Sequence, residues 1–322
     1  MKAVECNNGT IKLLDQTQLP HKEEWIEIKT ARGMANAIKE MKVRGAPAIG
    51  VAAAYGMALS KKPDEDAELL KSSRPTAVDL SHAVDFVISR IKKGETAMAA
   101  AGAWERMNKE KCNKICEYGA TLIKPKQIIL THCNTGFLAT NDYGSALGAI
   151  KRAHEQKKEI FVYVDETRPR IQGALTSWEL IKAGISHKVI CDNSAAFLMQ
   201  KMKIEMVMVG ADRIAANGDT ANKIGTYSLS VLAKEHGIPF YVLAPVSSFD
   251  FTIKNGNEIK IEERDELEVL EINGKRAYPK ESHAINLAFD ITPAKNITAF
   301  VNEFGIFKNP QEMDSKWKNI LE

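Results

Sequence analysis

Over residues 9–30 apolar and polar positions alternate at short range. Thr10-Ile-Lys-Leu-Leu14 and Trp25-Ile-Glu-Ile28 set apolar side chains two apart, the spacing of short strands with one buried face. The period then lengthens. Met34, Ile38 and Met41 share one helical face, and Val84, Val87, Ile88 and Ile91 mark another amphipathic helix. Residues 95–118 form an alanine-rich helical stretch. Ala48 to Leu59 is small and apolar on every side, which predicts a helix packed tightly in a core.

Past Lys124-Pro125 the pattern changes to short apolar runs, each leading into a helical segment. The runs are Gln127–Thr131, Glu159–Val164, Lys188–Cys191, Glu205–Val209 and Pro239–Leu243, with helices such as Ser145–Glu155 and Ile224–His236 between them. Strand–helix–strand repetition predicts a parallel sheet with right-handed crossovers, and continuous Val/Ile-rich runs fit strands covered on both faces. Residues 253–282 are polar and read as an irregular excursion before a last element at Ala299-Phe-Val301.

A chain of 322 residues exceeds what one core usually organises, so two domains are expected. The predicted fold class is α/β: a smaller, mostly α-helical domain over residues 1–122, with short β segments at its start, then a doubly wound, Rossmann-like parallel-sheet domain over 123–322. The formal net charge of +3 is spread without a basic block, so nucleic acid is not an expected partner. Five scattered cysteines, Cys6, Cys112, Cys116, Cys133 and Cys191, make neither a disulfide framework nor a zinc spacing. The polar N-terminus lacks a secretory signal, and no apolar run reaches the roughly 20 residues of a membrane span. A cytoplasmic protein is expected.

In a doubly wound sheet, ligands bind beyond the carboxyl ends of the strands. The predicted strands are followed there by His132-Cys-Asn-Thr-Gly136, Asp165-Glu-Thr-Arg-Pro-Arg170, Asp192-Asn-Ser194 and Gly210-Ala-Asp-Arg213. Cys133, at a strand end before a glycine turn, suits a thiol activated by backbone N–H groups; its spacing alone is better explained by a buried structural cysteine. Asp212 follows an apolar run, and burial there would suit a general acid or base; a helix cap or an ion pair with Arg213 explains it equally well. Asn222-Lys223, where a helix should begin, offers a cation beside a helix N-terminus and hence an anion site. Arg44, with Gly45 permitting close approach and Pro47 starting a helix, could grip an oxyanion, as could Arg74, with Thr76 as hydroxyl donor or cap. Each lysine or arginine alone is usually a solvated surface group. Two arginine motifs in the helical domain and a phosphate-ready second domain together suggest a site between domains. No GxGxxG, Walker, HExxH or GxSxG motif occurs.

Taken together, Arg44-Gly-Ala-Pro-Ala-Ile-Gly50, Thr131-His-Cys-Asn-Thr-Gly136, Asp165-Glu-Thr-Arg-Pro-Arg170 and the long Gly210–Gly225 segment resemble the 5-methylthioribose-1-phosphate isomerase family. Leu14-Asp-Gln-Thr-Gln-Leu-Pro20 and Arg74-Pro-Thr-Ala-Val78 match it in the same order, from about residue 14 to about residue 305. The family shares a superfamily with translation initiation factor 2B subunits and ribose-1,5-bisphosphate isomerase. The sequence departs from its pattern in two places: Gln172–Glu179 is one residue shorter and lacks an arginine, and Leu287 stands where proline is usual.

The resemblance implies that Cys133 and Asp212 are the catalytic pair. It implies that Arg44, Gly45, Ala46, Arg74, Gln172, Asn222 and Lys223 bind substrate. No metal or organic cofactor is implied, and a homodimer is. The implied reaction is an aldose–ketose isomerisation of a sugar blocked as its anomeric phosphate, in methionine salvage. Ribose 1,5-bisphosphate and 5-deoxyribose 1-phosphate are alternative substrates within the same reaction type. A non-catalytic subunit like those of the translation factor is the alternative from another class; retention of both Cys133 and Asp212 weighs against it.

Overall fold

The structure, a computed structural model, describes residues 1–313 except Thr76, Met202 and Asn273. Two compact units emerge, one formed by Met1–Glu117 with Thr135–Ala149, the other by Tyr118–Asn134 with Ile150–Glu322 as far as residues are described.

The first unit opens with an antiparallel three-stranded sheet, β1 (Val4–Asn7), β2 (Thr10–Leu14) and β3 (Trp25–Ile28). Asn8 and Gly9, both at positive φ, close the first hairpin, as a two-residue turn between right-twisted strands requires. Five helices follow: α1 (Ala31–Lys39), α2 (Ala46–Ala58), α3 (Pro63–Ser73), α4 (Val78–Lys92) and α5 (Ala97–Thr121), the last running past the unit's edge. Every residue of α2 from Ala48 to Met57 is buried, as its small apolar sequence predicts. Gly50 lies so close to α4 that a Cβ there would be 3.0 Å from the Asp79 carbonyl oxygen. The later segment, with the short α6 (Phe137–Thr140) and the start of α7 (Ala146–Glu155), packs back into this unit. Gln16 Nε2 donates to the Leu138 carbonyl, and Asn141 Oδ1 accepts the Ala3 N–H.

The second unit is built on a seven-stranded sheet. Its strands are β4 (Ile128–Thr131), β5 (Phe161–Asp165), β6 (His187–Ile190), β7 (Met206–Val209), then β10 (Phe240–Leu243), β15 (Ala299–Asn302) and β16 (Gly305–Phe307). A smaller four-stranded sheet holds β8 (Arg213–Ala215), β9 (Thr220–Lys223), β11 (Phe249–Asp250) and β14 (Phe289–Thr292), and β12 (Glu271–Ile272) pairs with β13 (Lys275–Arg276). The helices are α8 (Gln172–Ala183), α9 (Ala195–Lys201), α10 (Thr226–Glu235) and the short α11 (Leu267–Leu270).

The large sheet has the order β16-β15-β10-β7-β4-β5-β6, parallel throughout except β16. The chain steps outward from β4 to β6, then returns to β7 and steps outward the other way. The order therefore reverses between β4 and β7, the place where such sheets open a crevice at their carboxyl ends. Leu130, Val207, Val209, Val242 and Phe300 supply core from this sheet.

The fold is α/β with a parallel sheet, as the repeating runs predict. Three local expectations need correction. β6 is not covered on both faces: Lys188 and Val189 are exposed, because β6 is the edge strand. α10 begins at Thr226 rather than Ile224, since Asn222 and Lys223 belong to β9. The small sheet carrying β8 and β9 has no counterpart in the sequence reading. Among the described residues no helix is long and apolar enough to cross a membrane.

Candidate active site

β4 ends at Thr131, and the next residues turn sharply. Cys133 has φ +64, a left-handed conformation that costs a non-glycine residue about 1–3 kcal/mol unless its surroundings hold it. Two buried threonines hold it. The Cys133 N–H donates to Thr167 Oγ1 at 2.9 Å, and the Thr176 hydroxyl donates to the Cys133 carbonyl at 2.6 Å. The Thr167 hydroxyl in turn donates to the Asp165 carbonyl. Asn134 is clamped by the buried Glu179 at 2.9 Å. The backbone of Cys133 is thus fixed on both sides, and its half-buried side chain is presented from a rigid mount.

The loop after β5 is equally constrained. Thr167 and Ile171 both have positive φ, and the Asp192 carboxylate accepts the Thr167 and Arg168 N–H groups at 2.8 and 2.7 Å. Gly173 starts α8 so close to β5 that a Cβ would collide with the Asp165 carbonyl. Beside it, Gln172 is buried, and its Oε1 has no hydrogen-bond partner among the described residues. An unpaired buried acceptor costs about 1–3 kcal/mol, so a donor arriving there would be bound favourably.

Lys223 is the central cation. It is buried, its ammonium donates to the Ala288 carbonyl at 2.9 Å, and it lies 4.7 Å from the centre of the Phe289 ring. Burial lowers its pKa; the negative charges of Cys133 and Asp212 work against that, and Arg264 and Arg170 add to it. Thiol and carboxylate are therefore each close enough to act on the charge of the ammonium. Asn222, also buried, donates to Thr226 Oγ1 at 3.0 Å.

Asp212 sits in the turn between β7 and β8, with its N–H bonded to the Ala221 carbonyl. It is exposed, so burial is not what would tune it as an acid or base, one of the two readings its sequence leaves open. Arg213 faces Asp250 at 3.5 Å. The expected anion site at the start of α10 also changes. Asp290 accepts the Gly225 N–H at 2.7 Å and the Tyr227 N–H at 3.0 Å, so a carboxylate already caps that helix.

Arg44, Gly45, Ala46 and Arg74 belong to the first unit; Cys133, Gln172, Asp212, Asn222 and Lys223 belong to the second. Arg44 donates to the Met41 carbonyl from the turn before α2. Gly45 has φ +85, and a Cβ on it would strike the backbone of Ala139, so the close approach it permits is to protein backbone. Arg74 ends α3 and is partly buried; Thr76 lies outside the described residues.

Sequence reasoning missed three groups. Arg170 pairs with Glu268 at 2.8 Å, and burial lowers its pKa. Arg264 pairs with Glu262 at 2.9 Å and faces Phe289. Asp290 is pushed up by burial, against the two N–H groups it accepts. Arg170 was within a motif already noted. Arg264 and Asp290 come from the polar stretch and the strand after it, where nothing local signals a site.

The chain matches the initiation factor 2 subunit family over residues 21–309. It is 53% identical to a methylthioribose-1-phosphate isomerase of Aquifex aeolicus across 92% of this chain, which spans 66% of that protein's length. The crystal structure of 5-methylthioribose 1-phosphate isomerase from Pyrococcus horikoshii superposes with TM-score 0.91 at 38% identity, covering 99% of this chain and 96% of that one. The subunit delta of translation initiation factor eIF-2B from A. fulgidus superposes with TM-score 0.86 at 40% identity, covering 95% of each chain.

Proposed function

Since this chain belongs to the initiation factor 2 subunit family, we propose that it is a methylthioribose-1-phosphate isomerase, converting 5-methylthioribose 1-phosphate to 5-methylthioribulose 1-phosphate in methionine salvage. The observation that carries the reading is a thiol on a rigid, strained mount, within electrostatic reach of a buried lysine that also feels Asp212.

The substrate's anomeric carbon carries phosphate, so its ring cannot open to a free aldehyde. Asp212 protonates the ring oxygen, which breaks the bond from that oxygen to C1. Hydrogen then leaves C2 for C1, and the C2 hydroxyl gives its proton to the Asp212 carboxylate as it becomes the ketone, which restores the acid. The hydrogen travels either as a proton by way of Cys133 or directly as hydride; the fate of a C2 deuterium, washed out or retained at C1, separates the two routes. Lys223, Asn222, Gln172, Arg44, Arg74 and the backbone of Gly45 and Ala46 hold the phosphate and sugar. Fixing the reacting atoms and stabilising developing charge are the main sources of rate here. The unpartnered Gln172 oxygen suits a sugar hydroxyl as donor.

At C5 the methylthio group is the one named for the relatives, such as those from Aquifex aeolicus and Pyrococcus horikoshii. The enzyme works as a cytoplasmic homodimer; α8, β6 and α9 each leave a large apolar side chain exposed, Ile181, Val189 and Phe197, of the kind a second copy would cover. The likeness to the delta subunit favours a second reading, a non-catalytic binding subunit. The deciding assay follows ketose 1-phosphate formation from methylthioribose 1-phosphate, with ribose 1,5-bisphosphate in parallel. Turnover of the first alone is expected; a folded protein that turns over neither would be the binding subunit.

A further inference from the structure

His132 and Asp165 take no part in the steps above, yet they touch both halves of the machinery. Both are buried, with His132 Nδ1 2.9 Å from Asp165 Oδ2 and His132 Nε2 2.8 Å from the Ile224 carbonyl. A carbonyl oxygen only accepts, so Nε2 carries a hydrogen. The Nδ1–Oδ2 bond is satisfied with its proton on either atom, and either way the pair has no net charge. Asp165 Oδ1 is buried with no partner among the described residues, and burial pushes that carboxyl up. A carboxylic acid donating to a neutral imidazole is the arrangement that leaves least charge unsolvated.

The pair spans two sheets. His132 adjoins Cys133 at the end of β4, while Ile224 adjoins Lys223 at the end of β9, and β4 and β9 share no ladder. Gly225 rests on the imidazole so closely that a Cβ would lie 2.9 Å from Cε1. On the other side the Asp165 carbonyl reaches Cys133 through the Thr167 hydroxyl. We propose that His132, oriented by Asp165, is a positioning residue that sets the separation between the Cys133 thiol and the Asn222-Lys223 segment. The proposal rests on the isomerase reading for its kinetic consequence. Each half binds or reacts on its own; what the strut supplies is their register. Misplacement by roughly 1 Å can cost on the order of 100-fold in rate, so its loss falls on kcat rather than KM.

The test uses His132→Ala, Asp165→Ala and Asp165→Asn in the full chain. Asparagine can donate to Nδ1 through Nδ2 and hold the ring as the acid does; alanine cannot. The alanine variants are expected to lose about 100-fold in kcat with KM within about threefold, and Asp165→Asn to recover to within about threefold of the parent. Iodoacetamide labelling of Cys133, followed by mass, should speed up several-fold in Asp165→Ala and not in Asp165→Asn, whether or not any sugar is turned over. Should His132→Ala fail to fold, the two Asp165 variants carry the test. A folded Asp165→Ala with parental kcat and labelling rate, or an Asp165→Asn as impaired as Asp165→Ala, overturns the proposal. A parent protein without turnover overturns the isomerase reading instead, while the labelling comparison still judges the strut.

Discussion

Lys223 shows how one residue can carry two opposite pH signatures. Its pKa is lowered in the fold by burial, so between that value and the ordinary 10.5 the unfolded chain holds the proton more readily. Unfolding free energy should therefore rise with pH across that window, because the unfolded state binds more protons there. Substrate affinity should move the other way. Phosphate needs the ammonium, so KM should climb with pH, beginning below 10.5. Lys223→Met should erase both trends, which urea titrations and initial rates over a pH series would reveal. Cys133→Ala and Asp212→Asn should each lower kcat by about 100- to 10,000-fold with little change in the urea midpoint; a near-parental rate would remove that residue from the mechanism. At this scale the sequence was readable wherever a reactive group stood at a strand end. It was unreadable where burial mattered: the run before Asp212 is buried, but the turn that carries it is not.

Elements position these groups, and two contacts are expected to be sensitive. Asp290 on β14 caps α10 through two backbone N–H groups. Asp290→Ala should cost about 0.5–2 kcal/mol, read from urea denaturation, as other lost N-caps do. Gly173→Ala should push α8 away from β5, costing about 1–3 kcal/mol and weakening substrate binding through Gln172; unchanged stability and KM would show that α8 yields freely. The long elements were legible because their period is unambiguous: α2 and α4, and the strands β4, β5, β7 and β10, all lie where the apolar pattern sets them. The sheet of β8, β9, β11 and β14 was not. Its strands have two to four residues, and β9 reads Thr-Ala-Asn-Lys yet is buried throughout. It is a strand by pairing on both edges, with β8 and, as in Lys223 opposite Phe289, with β14. The latter is remote in sequence, and no local pattern announces it.

For the whole molecule, the α/β class followed from repetition alone. His132, Asp165 and Asp192 bring their ligand atoms within 4.8 Å of one another, a grouping that could attract a metal. Protein partners already engage both imidazole nitrogens and the Asp192 carboxylate. Dialysis against a chelator should therefore leave the rate unchanged; a loss restored by zinc or another divalent ion would assign these residues a metal. The division of the chain has a further consequence, for synthesis. Residues 135–149 complete the first unit, although β4 of the second precedes them. Gln16 and the backbone of Ala3 find their partners only at Leu138 and Asn141. On the ribosome, the helical unit must wait for its last segment to clear the exit tunnel, while β4 already hangs outside unpaired. A nascent chain arrested before that point exposes unfinished core to chaperones, and the gene cannot be cut between the two units without severing one of them.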